Sequence, residues 1–492
     1  MKVLLVYPEF PDTFWSFKHA LPFQGKRSAF PPLGLLTISA MLPKHWEKRV
    51  VDLNVHRLKD SDLKWADVVF FSGMIVQGPS MQGLIARAKQ HGKRTVVGGP
   101  ITSTHDSSIS QADHIVEGEA EEMITQVAED LERGTAKPHY VDKQMVDVTR
   151  VPLPDMHLVS LRHYSSMSVQ FSRGCPFTCE FCDIIEIYGR RPRTKTPDQV
   201  CAELDQLHRL GWRGSVFMVD DNFIGNKKSV KALLPRLVEW MREHNFPFTL
   251  YTEASLNLAE DEDLLSMMRA ARFTKVFLGI ETPVAESLKE TTKFQNLRKD
   301  LLESVKLIQS YGMEVMAGFI VGFDNDPADV FDRQIEFIRQ AAIPLSMVGL
   351  LQALPNTQLG RRLQKEGRLL KSSLGNNTLV DLNFIPRMNT QELLDGYRRI
   401  LQTIYNPREY FQRASAFLSQ LGSGSRSPLV FSDLLALGRS LLRQGLLSNY
   451  RREYWKFLVQ SLRRHRHHFS KAVTLAIMGH HFFQLTAATE AN

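Results

Sequence analysis

Short apolar segments alternate with longer helix-like segments in two successive series, and this pattern constrains the fold more than any other feature of the sequence. In the first series the strand candidates are residues 2–7, 49–53, 67–72, 95–97 and 114–116. The helix candidates between them are residues 33–42, 79–91 and 119–133. Alternating strands and helices of this kind build parallel sheets that are covered on both faces. We therefore predict that residues 1–145 form a doubly wound, Rossmann-like α/β domain.

A second series of the same kind follows a proline-containing linker, which we assign to residues 146–165. Its strand candidates are residues 169–171, 216–219, 248–251, 276–280, 315–321 and 347–351. Its helix candidates are residues 197–210, 229–244, 260–271 and 297–311. These units predict a partial parallel (β/α)6 barrel over residues 166–355, and chemistry in such barrels gathers at the carboxyl ends of the strands. Residues 356–492 are predicted to be mostly helical, with a glycine- and serine-rich break at 422–425.

Glycines follow two strand candidates of the first series. Ser72 precedes Gly73 at the end of one strand, and Gly98 and Gly99 follow the next. Ligands of doubly wound sheets bind outside the carboxyl ends of the strands, and glycine lets the backbone approach a ligand closely. These residues are therefore candidate ligand-binding positions; the alternative is a pair of tight turns that bind nothing.

Three of the four cysteines lie close together, directly after the first strand of the predicted barrel. Cys175, Cys179 and Cys182 have the spacing C-x3-C-x2-C, so three thiolates can hold three irons of a [4Fe-4S] cluster and leave the fourth iron open. Zinc is the rival metal, but a structural zinc site needs four ligands. The nearby candidates for a fourth, His163 and Cys201, lack zinc-finger spacing. Cys201 is more typical of a small buried side chain on a helix.

The segment from Phe171 to Cys182 resembles the signature of the radical S-adenosylmethionine (SAM) superfamily, C-x3-C-x-aromatic-C. The resemblance implies that SAM chelates the open iron and is cleaved reductively to methionine and a 5′-deoxyadenosyl radical. The protein then positions the cofactor and excludes water. The same resemblance implies further SAM-binding positions: Phe181 and Gly318 near the adenine, Asp220 or Asp221 for the amino group, and Glu253 and Glu281 for the ribose hydroxyls or the amino group.

Residues 2–355 are also similar to the cobalamin-binding radical SAM enzymes, in particular to the hopanoid C-2 methylase branch. The similarity lies in residues 31–34, 179–184, 188–190, 195–197, 220–226 and 351–355. It implies that cobalamin binds to the first domain beside Ser72, Gly98 and Gly99. The loop after the first strand has no histidine before His19, so we expect cobalamin to bind without a histidine ligand. Residues 12–19 do not match the hopanoid enzyme, so the substrate can differ.

The net charge of +8 resides in the C-terminal region, since residues 401–492 hold 12 Lys and Arg against 4 Asp and Glu and the remainder is neutral. Basic and aromatic residues interleave between Arg451 and His468. Three interpretations are open: a solvated helix packed on the barrel, a helix that binds an anionic membrane, or a nucleic-acid contact. No recognisable nucleic-acid-binding module supports the last, so no nucleic-acid partner is expected.

The sequence shows neither a signal peptide nor a run of roughly 18 apolar residues that could span a membrane. Clustered thiols suit a reducing compartment. We therefore expect a cytoplasmic protein that is soluble or attached peripherally to a membrane.

The expected function is that of an enzyme that transfers a methyl group to an unactivated carbon of a small-molecule or lipid substrate. The expected cofactors are a [4Fe-4S] cluster, SAM and cobalamin, and the expected partner is an electron donor such as a ferredoxin or flavodoxin. Two alternatives are a cobalamin-binding radical SAM enzyme that catalyses rearrangement, cyclisation or methylthiolation, and a non-catalytic iron–sulfur or cobalamin sensor.

Overall fold

A six-stranded parallel sheet forms the N-terminal part of the computed structural model, which describes residues 1–104, 107–142, 144–376, 378–422 and 431–491. Its strands are β1 Lys2–Tyr7, β2 Glu47–Asp52, β3 Val68–Ser72, β4 Arg94–Gly98, β5 His114–Glu117 and β6 His139–Val141, in the order β2-β1-β3-β4-β5-β6. The α-helices are α1 Leu21–Gln24, α2 Leu33–Met41, α3 Asp60–Trp65, α4 Gly78–Gln90 and α5 Ile124–Arg133. The doubly wound prediction is confirmed, and β6 is an added strand of only three residues.

Strand β1 shows why both faces of this sheet are covered. Val3 and Leu5 pack with apolar residues of α2 and α5 on one face, and Leu4 and Val6 pack with those of α3 and α4 on the other. All four side chains are fully buried. Such a strand is a continuous apolar run, as expected for a parallel sheet between two helical layers.

A second six-stranded parallel sheet, in the order β14-β13-β12-β11-β10-β7, forms the partial (β/α)6 barrel. The strands of this part are β7 Ser166–Val169, β8 Ser172–Arg173, β9 Arg193–Thr194, β10 Ser215–Met218, β11 Thr249–Ala254, β12 Phe273–Glu281, β13 Glu314–Val321 and β14 Ser346–Leu350. The α-helices are α6 Ile184–Ile187, α7 Pro197–Arg209, α8 Lys227–Glu243, α9 Glu262–Ala270, α10 Ala285–Glu290, α11 Leu301–Ser310 and α12 Val330–Gln340. The first barrel strand was predicted at 169–171 but lies at Ser166–Val169. The chain leaves the sheet there because Asp220 binds the next backbone amides.

The C-terminal region is helical, as predicted. Its helices are α13 Gln358–Lys365, α14 Thr390–Ile404, α15 Pro407–Gln420, α16 Phe431–Ser440, a π-helix Leu441–Leu446, α17 Arg451–Arg464 and α18 Phe469–Ala491. Of the predicted break at 422–425, residues 423–425 lie outside the described residues. Within the described part of the chain, no helix has the length and hydropathy that a membrane span requires.

The carboxyl edges of the two parallel sheets face each other. Trp15, in the loop after β1, lies 4.9 Å from Phe277 of β12 between ring centroids. Asn356, after β14, donates from Nδ2 to the carbonyl of Ser103, after β4, at 2.7 Å. Loops from the carboxyl ends of both sheets therefore enclose one gap, and this is where both folds place their ligands.

A buried ion cluster at the edge of this gap joins the two sheets. Glu119, in the loop after β5, accepts from Arg173 Nη1 at 2.8 Å and from Arg193 Nη1 at 2.7 Å. Arg173 also pairs with Glu121 at 2.5 Å. The Glu119 side chain is only 3% exposed and the two arginine side chains are 12% and 15% exposed. The ribbon of β8 and β9 that leads into the cysteine loop is thus tied to the first domain.

We predict that Glu119→Ala lowers the free energy of unfolding by about 3 kcal/mol, because removing one partner leaves buried guanidinium charge uncompensated. Urea denaturation of the cofactor-free protein, followed by circular dichroism, measures the change. The matched control is Glu129→Ala, whose pair with Arg133 is exposed and is expected to contribute about 0.5 kcal/mol or less. Equal losses in the two variants would contradict a stabilising role for the buried cluster.

Candidate functional site

The loop that carries the three cysteines has a fixed shape. The two-residue strands β8 and β9 pair antiparallel and close its base. Gly174 then adopts a φ of +91°, and a Cβ atom there would lie 2.8 Å from the carbonyl of Gly189 and 2.9 Å from that of Tyr188. Only glycine fits this position. The amide of Cys175 donates to the carbonyl of Gly189 at 3.3 Å, which fixes the first cysteine against the end of the loop.

The three thiols have a polar, partly buried environment that fits an iron–sulfur cluster. Asn222 Nδ2 donates to Cys175 Sγ and Gln295 Nε2 donates to Cys179 Sγ, each at 3.7 Å. Burial raises the thiol pKa of Cys175, Cys179 and Cys182 above the ordinary value of a cysteine. Bound iron would supply the positive charge that deprotonates a coordinating thiol, and hydrogen bonds to the sulfurs set the potential of such clusters.

A single metal ion fits the site less well than a cluster. Among the residues that the structure describes, no three His, Cys, Asp or Glu side chains converge closely enough to hold one ion. A cubane cluster does not require that convergence, because each thiolate binds a different iron. Cys201 lies apart from the other three cysteines, on the buried face of α7, where burial raises its pKa to about 11.

Two adjacent aspartates after β10 hold the start of the cysteine loop. The Asp220 carboxylate, 2% exposed, accepts from the amides of Phe171, at 3.4 Å, and Ser172. Asp221 Oδ2 accepts from the amide of Gly174 at 3.0 Å. Asp220 therefore positions the loop from within, while the less buried Asp221 lies nearer to the cysteines.

Three carboxyl groups lie together at the ends of β10 and β11. Burial raises the pKa of Asp220 to about 7 and that of Asp221 to about 6. Burial and the charges of these two aspartates raise the pKa of Glu253 to about 8. No described residue is seen to donate a hydrogen bond to the Glu253 carboxylate. A cationic ligand would stabilise the ionised form of this group.

Glu281 ends β12 in a strained, closely packed position. A β-bulge shifts the register between β12 and β13 at this point, and Glu281 has a φ of +65°. Its carboxylate pairs with the ammonium group of Lys293, which is also buried. Burial lowers the pKa of Lys293, but Glu281 and Cys179 offset this, so the net pKa is raised. A Cβ atom at Gly279 would lie 2.5 Å from Glu281 Oε1, so glycine leaves room for the pair.

Phe181 and Gly318 lie beside this ion pair. Lys293 Nζ is 5.8 Å from the Phe181 ring centroid, within the range of a cation–π contact. The Phe181 ring also meets Phe323, after β13, at 6.1 Å. A Cβ atom at Gly318 would lie 3.1 Å from Phe277. Residues at and after the carboxyl ends of β12 and β13 thus lie beside Phe181 of the cysteine loop.

The first sheet presents small residues at the facing edge. Gly99 has a φ of +86°, and a Cβ atom there would lie 2.4 Å from Ser72 Oγ and 3.2 Å from the amide of Gly73. Ser72 and Gly99 are therefore in contact across β3 and β4, next to Gly98. This arrangement leaves a surface of backbone and hydroxyl groups that a large planar ligand can approach.

The first histidine after β1 is turned away from this edge. The amide of His19 donates to His481 Nδ1 of α18 at 3.4 Å, and the two rings are 5.6 Å apart. His481 Nε2 donates to the carbonyl of Phe14 at 3.2 Å, a tautomer that follows from its partners. Burial lowers the pKa of His481 to about 4, so the ring is neutral at physiological pH.

Aromatic side chains line the gap between the sheets. Phe217 and Tyr251 stack at 4.8 Å on adjacent strands, and Phe30 from the first domain meets Phe217 at 5.3 Å. Trp15 and Phe277 form a second pair at 4.9 Å. Tyr251, Phe277 and Trp15 remain partly exposed. These aromatic faces, on the same barrel strands as the charged ends, are suited to contact a large apolar molecule.

Several residues of this site were not predicted. Lys293 pairs with Glu281 across a β-bulge, and no sequence spacing identifies such a contact. Asn222 and Gln295, which donate to cysteine sulfurs, are likewise brought there only by the fold. The ion pair between Arg173 and Glu119 was also not predicted. The only sequence feature that could have indicated it is the position of Arg173, two residues before the first cysteine.

Comparisons with known proteins assign the parts of the chain. Residues 27–128 match the B12 binding domain, residues 169–338 match the radical SAM superfamily, and residues 357–492 match a domain of unknown function, DUF4070. An uncharacterized methyltransferase of Synechocystis is 44% identical over 98% of this chain and 92% of its own length. The hopanoid C-2 methylase of Rhodopseudomonas palustris is 36% identical over 94% of this chain and 89% of its own length.

Solved structures show the same fold. The radical SAM methyltransferase TsrM from Kitasatospora setae, with cobalamin and a [4Fe-4S] cluster bound, superposes with a TM-score of 0.66 at 14% identity, covering 96% of this chain and 98% of TsrM. The cobalamin-dependent radical SAM enzyme OxsB superposes with a TM-score of 0.62 at 15% identity, covering 100% of this chain and 80% of OxsB. The chain therefore belongs to the cobalamin-dependent radical SAM methyltransferases, in the family that includes hopanoid C-2 methylase, and its cofactors are a [4Fe-4S] cluster, SAM and cobalamin.

Proposed function

We propose that this enzyme methylates an unactivated carbon of a polycyclic lipid of the hopanoid type. The observation that carries the proposal is the facing arrangement of the two carboxyl sheet edges, joined through Glu119 and Arg173. One gap between these edges can hold the methyl donor, the radical source and the carbon that is methylated. The relative named hopanoid C-2 methylase supports the substrate class.

The aromatic wall also supports an apolar substrate. Five side chains supply broad aromatic faces: Trp15, Phe30, Phe217, Tyr251 and Phe277. Each Å² of apolar substrate surface buried against them contributes about 25 cal/mol to binding. A hydrocarbon has more such surface than a polar molecule of the same size. Trp15 belongs to residues 12–19, the segment that we interpreted from the sequence as differing from the hopanoid enzyme. We therefore assign differences in substrate shape to this segment.

We assign the cofactor-binding residues as follows. Cys175, Cys179 and Cys182 hold the cluster; Phe181, Asp221, Glu253, Glu281 and Gly318 contact SAM; Ser72, Gly98 and Gly99 contact cobalamin; and Asp220 holds the cysteine loop in place. When bound, the cluster and SAM supply hydrogen abstraction and the cobalamin supplies the methyl group. The chain's own residues orient these groups and exclude water from the gap.

We assign the domains to residues 1–145, 166–355 and 356–492, with a linker at 146–165. The matched family ranges 27–128, 169–338 and 357–492 fall within these limits.

Reductive cleavage of SAM needs an electron donor, for which we propose a ferredoxin or flavodoxin. A lipid substrate also requires access to a bilayer, and we propose a peripheral membrane contact through the C-terminal region.

We predict that the reconstituted protein, incubated anaerobically with SAM, cobalamin, a strong reductant and a hopanoid lipid, forms 5′-deoxyadenosine, S-adenosylhomocysteine and a methylated lipid. Mass spectrometry measures all three. Cys175→Ala, Cys179→Ala or Cys182→Ala should each abolish 5′-deoxyadenosine formation and lower the iron content. Cys201→Ala is the matched control. It should retain 5′-deoxyadenosine formation and iron content, because Cys201 lies on the buried face of α7.

Three results would contradict these assignments. Loss of iron in Cys201→Ala alone would overturn the ligand set. Formation of 5′-deoxyadenosine without S-adenosylhomocysteine or methylated lipid would exclude methyl transfer to the hopanoid. Absence of every product in the reduced, fully loaded protein would favour a sensor.

For cobalamin, we predict that the cob(II)alamin form of the full-length protein shows no superhyperfine splitting from an axial nitrogen in electron paramagnetic resonance. The physical reason is that His19 contacts His481 and no histidine precedes it in the loop after β1. His19→Ala is the control and should leave the spectrum unchanged. A nitrogen splitting that disappears in His19→Ala would show that His19 is the axial ligand after all, and one that persists would assign that role to another side chain.

A further inference from the structure

Six large apolar side chains are exposed on two consecutive helical elements near the C-terminus. We call this surface the C-terminal apolar patch; it consists of Leu442, Leu446, Leu447, Trp455, Val459 and Leu462. The exposed fractions run from 42% for Trp455 to 74% for Leu447. The patch is contributed by the π-helix and by α17, which are packed against each other.

Trp455 makes the patch continuous. Its indole Nε1 donates to the carbonyl of Gly445 in the π-helix at 3.0 Å, and a Cβ atom at Gly445 would lie 3.1 Å from the ring. Trp455, Val459 and Leu462 have the spacing i, i+4, i+7 and share one face of α17. The exposed leucines of the π-helix therefore adjoin a second apolar stripe.

The opposite face of α17 already forms the core of the C-terminal region. Tyr454, Phe457 and Leu458 are at most 4% exposed, and Phe457 stacks on Phe411 at 4.9 Å. The interleaved aromatics at 454 and 457, which the sequence suggested for a membrane contact, are thus not available for one. The helix carries one apolar face for folding and a second that folding does not use.

Basic side chains surround the patch. Arg451, Arg452, Arg463, Arg464 and Arg466 are all exposed. Within the described part of the chain, none of the five is seen to form an ion pair or a side-chain hydrogen bond. Lys456 pairs with Glu453 at 2.9 Å. An exposed apolar surface rimmed by unpaired cations matches the chemistry of an anionic bilayer.

A second copy of the chain fits this surface less well. Symmetric dimers bury the same surface of both subunits against itself. Such a contact would bring the arginine rims of two copies together, and juxtaposed like charges oppose association. Anionic headgroups instead supply the opposite charge, and the acyl region receives the leucines and the tryptophan.

The patch also has a fixed position relative to the gap between the sheets. Arg439, near the end of α16 and two residues before the π-helix, donates from Nη1 to the carbonyl of Phe23 in α1 at 3.0 Å. Arg443 lies over the Phe23 ring at 5.4 Å. Helix α1 follows the loop that carries Trp15. The C-terminal helices are therefore anchored to the same segment that lines the gap.

We infer that the C-terminal apolar patch inserts into the surface of an anionic membrane and orients the enzyme on it. This inference rests on the proposed lipid substrate for its purpose, but the binding itself does not depend on any cofactor. Vesicle binding and methyl transfer can therefore fail separately.

The test is sedimentation or flotation of the purified full-length protein with vesicles of phosphatidylcholine alone and with added phosphatidylglycerol. Leu446→Asn with Leu447→Asn should weaken binding to the anionic vesicles about 10-fold or more, because each leucine loses apolar burial. Arg451, Arg452, Arg463 and Arg464 changed together to Gln should weaken it by a similar factor and reduce its salt dependence. Tryptophan fluorescence should shift to the blue on binding.

The matched control is Leu370→Asn with Leu374→Asn, which replaces two leucines of similar exposure in the segment after α13. It should bind vesicles as the unaltered protein does. Equal binding to neutral and anionic vesicles, or equal losses in the control and the patch variant, would overturn the inference. A dimer in solution that Leu446→Asn with Leu447→Asn dissociates, without vesicle binding by the unaltered protein, would assign the patch to a second copy instead.

Discussion

The buried ion cluster of Glu119, Glu121, Arg173 and Arg193 is the constraint on which the arrangement of this molecule depends. It joins the loop after β5 to the ribbon that begins the cysteine loop. Folds of both kinds bind ligands at the carboxyl ends of their strands. The cluster keeps those two edges facing each other, so that two separately built sites become parts of one. Because the charges are almost fully buried, the pairing is sensitive to the loss of either partner.

Charge is distributed unequally around the resulting gap. Asp221, Glu253 and Glu281 lie at successive strand ends on the barrel side, next to the cysteines. The same three strands carry the aromatic rings of Phe217, Tyr251 and Phe277. Burial disfavours the ionised forms of Asp221 and Glu253, and a cationic ligand would relieve this. The first sheet contributes backbone and a hydroxyl group at Ser72 and Gly99 rather than charge. The gap thus combines charged and aromatic side chains from the barrel with uncharged groups from the first sheet.

Much of this could be predicted from the sequence, since buried parallel strands are apolar runs and their boundaries are marked by glycine, proline and capping residues. Helix α7 begins at Pro197, as predicted, and Thr196 caps it in a capping box. The first barrel strand begins three residues earlier than predicted, at Ser166. The side chain of Asp220, distant in sequence, accepts hydrogen bonds from the amides of Phe171 and Ser172 that follow the strand. Lys293 was missed because its pairing with Glu281 depends on a bulge, and the edge strand β6 was missed because three residues carry little pattern. Contacts between residues distant in sequence, such as these, cannot be predicted from local sequence patterns.

The contact between His19 and His481 has a consequence for biosynthesis. These residues are separated by 462 positions, yet together with Phe14 they fix the loop that carries Trp15. At a synthesis rate of about 5–20 residues per second, roughly 20–90 s pass between the emergence of the two histidines from the ribosome. During that interval the first domain can fold, but one wall of the gap lacks its support. The wall that carries Trp15 is therefore completed only after α18 has been made.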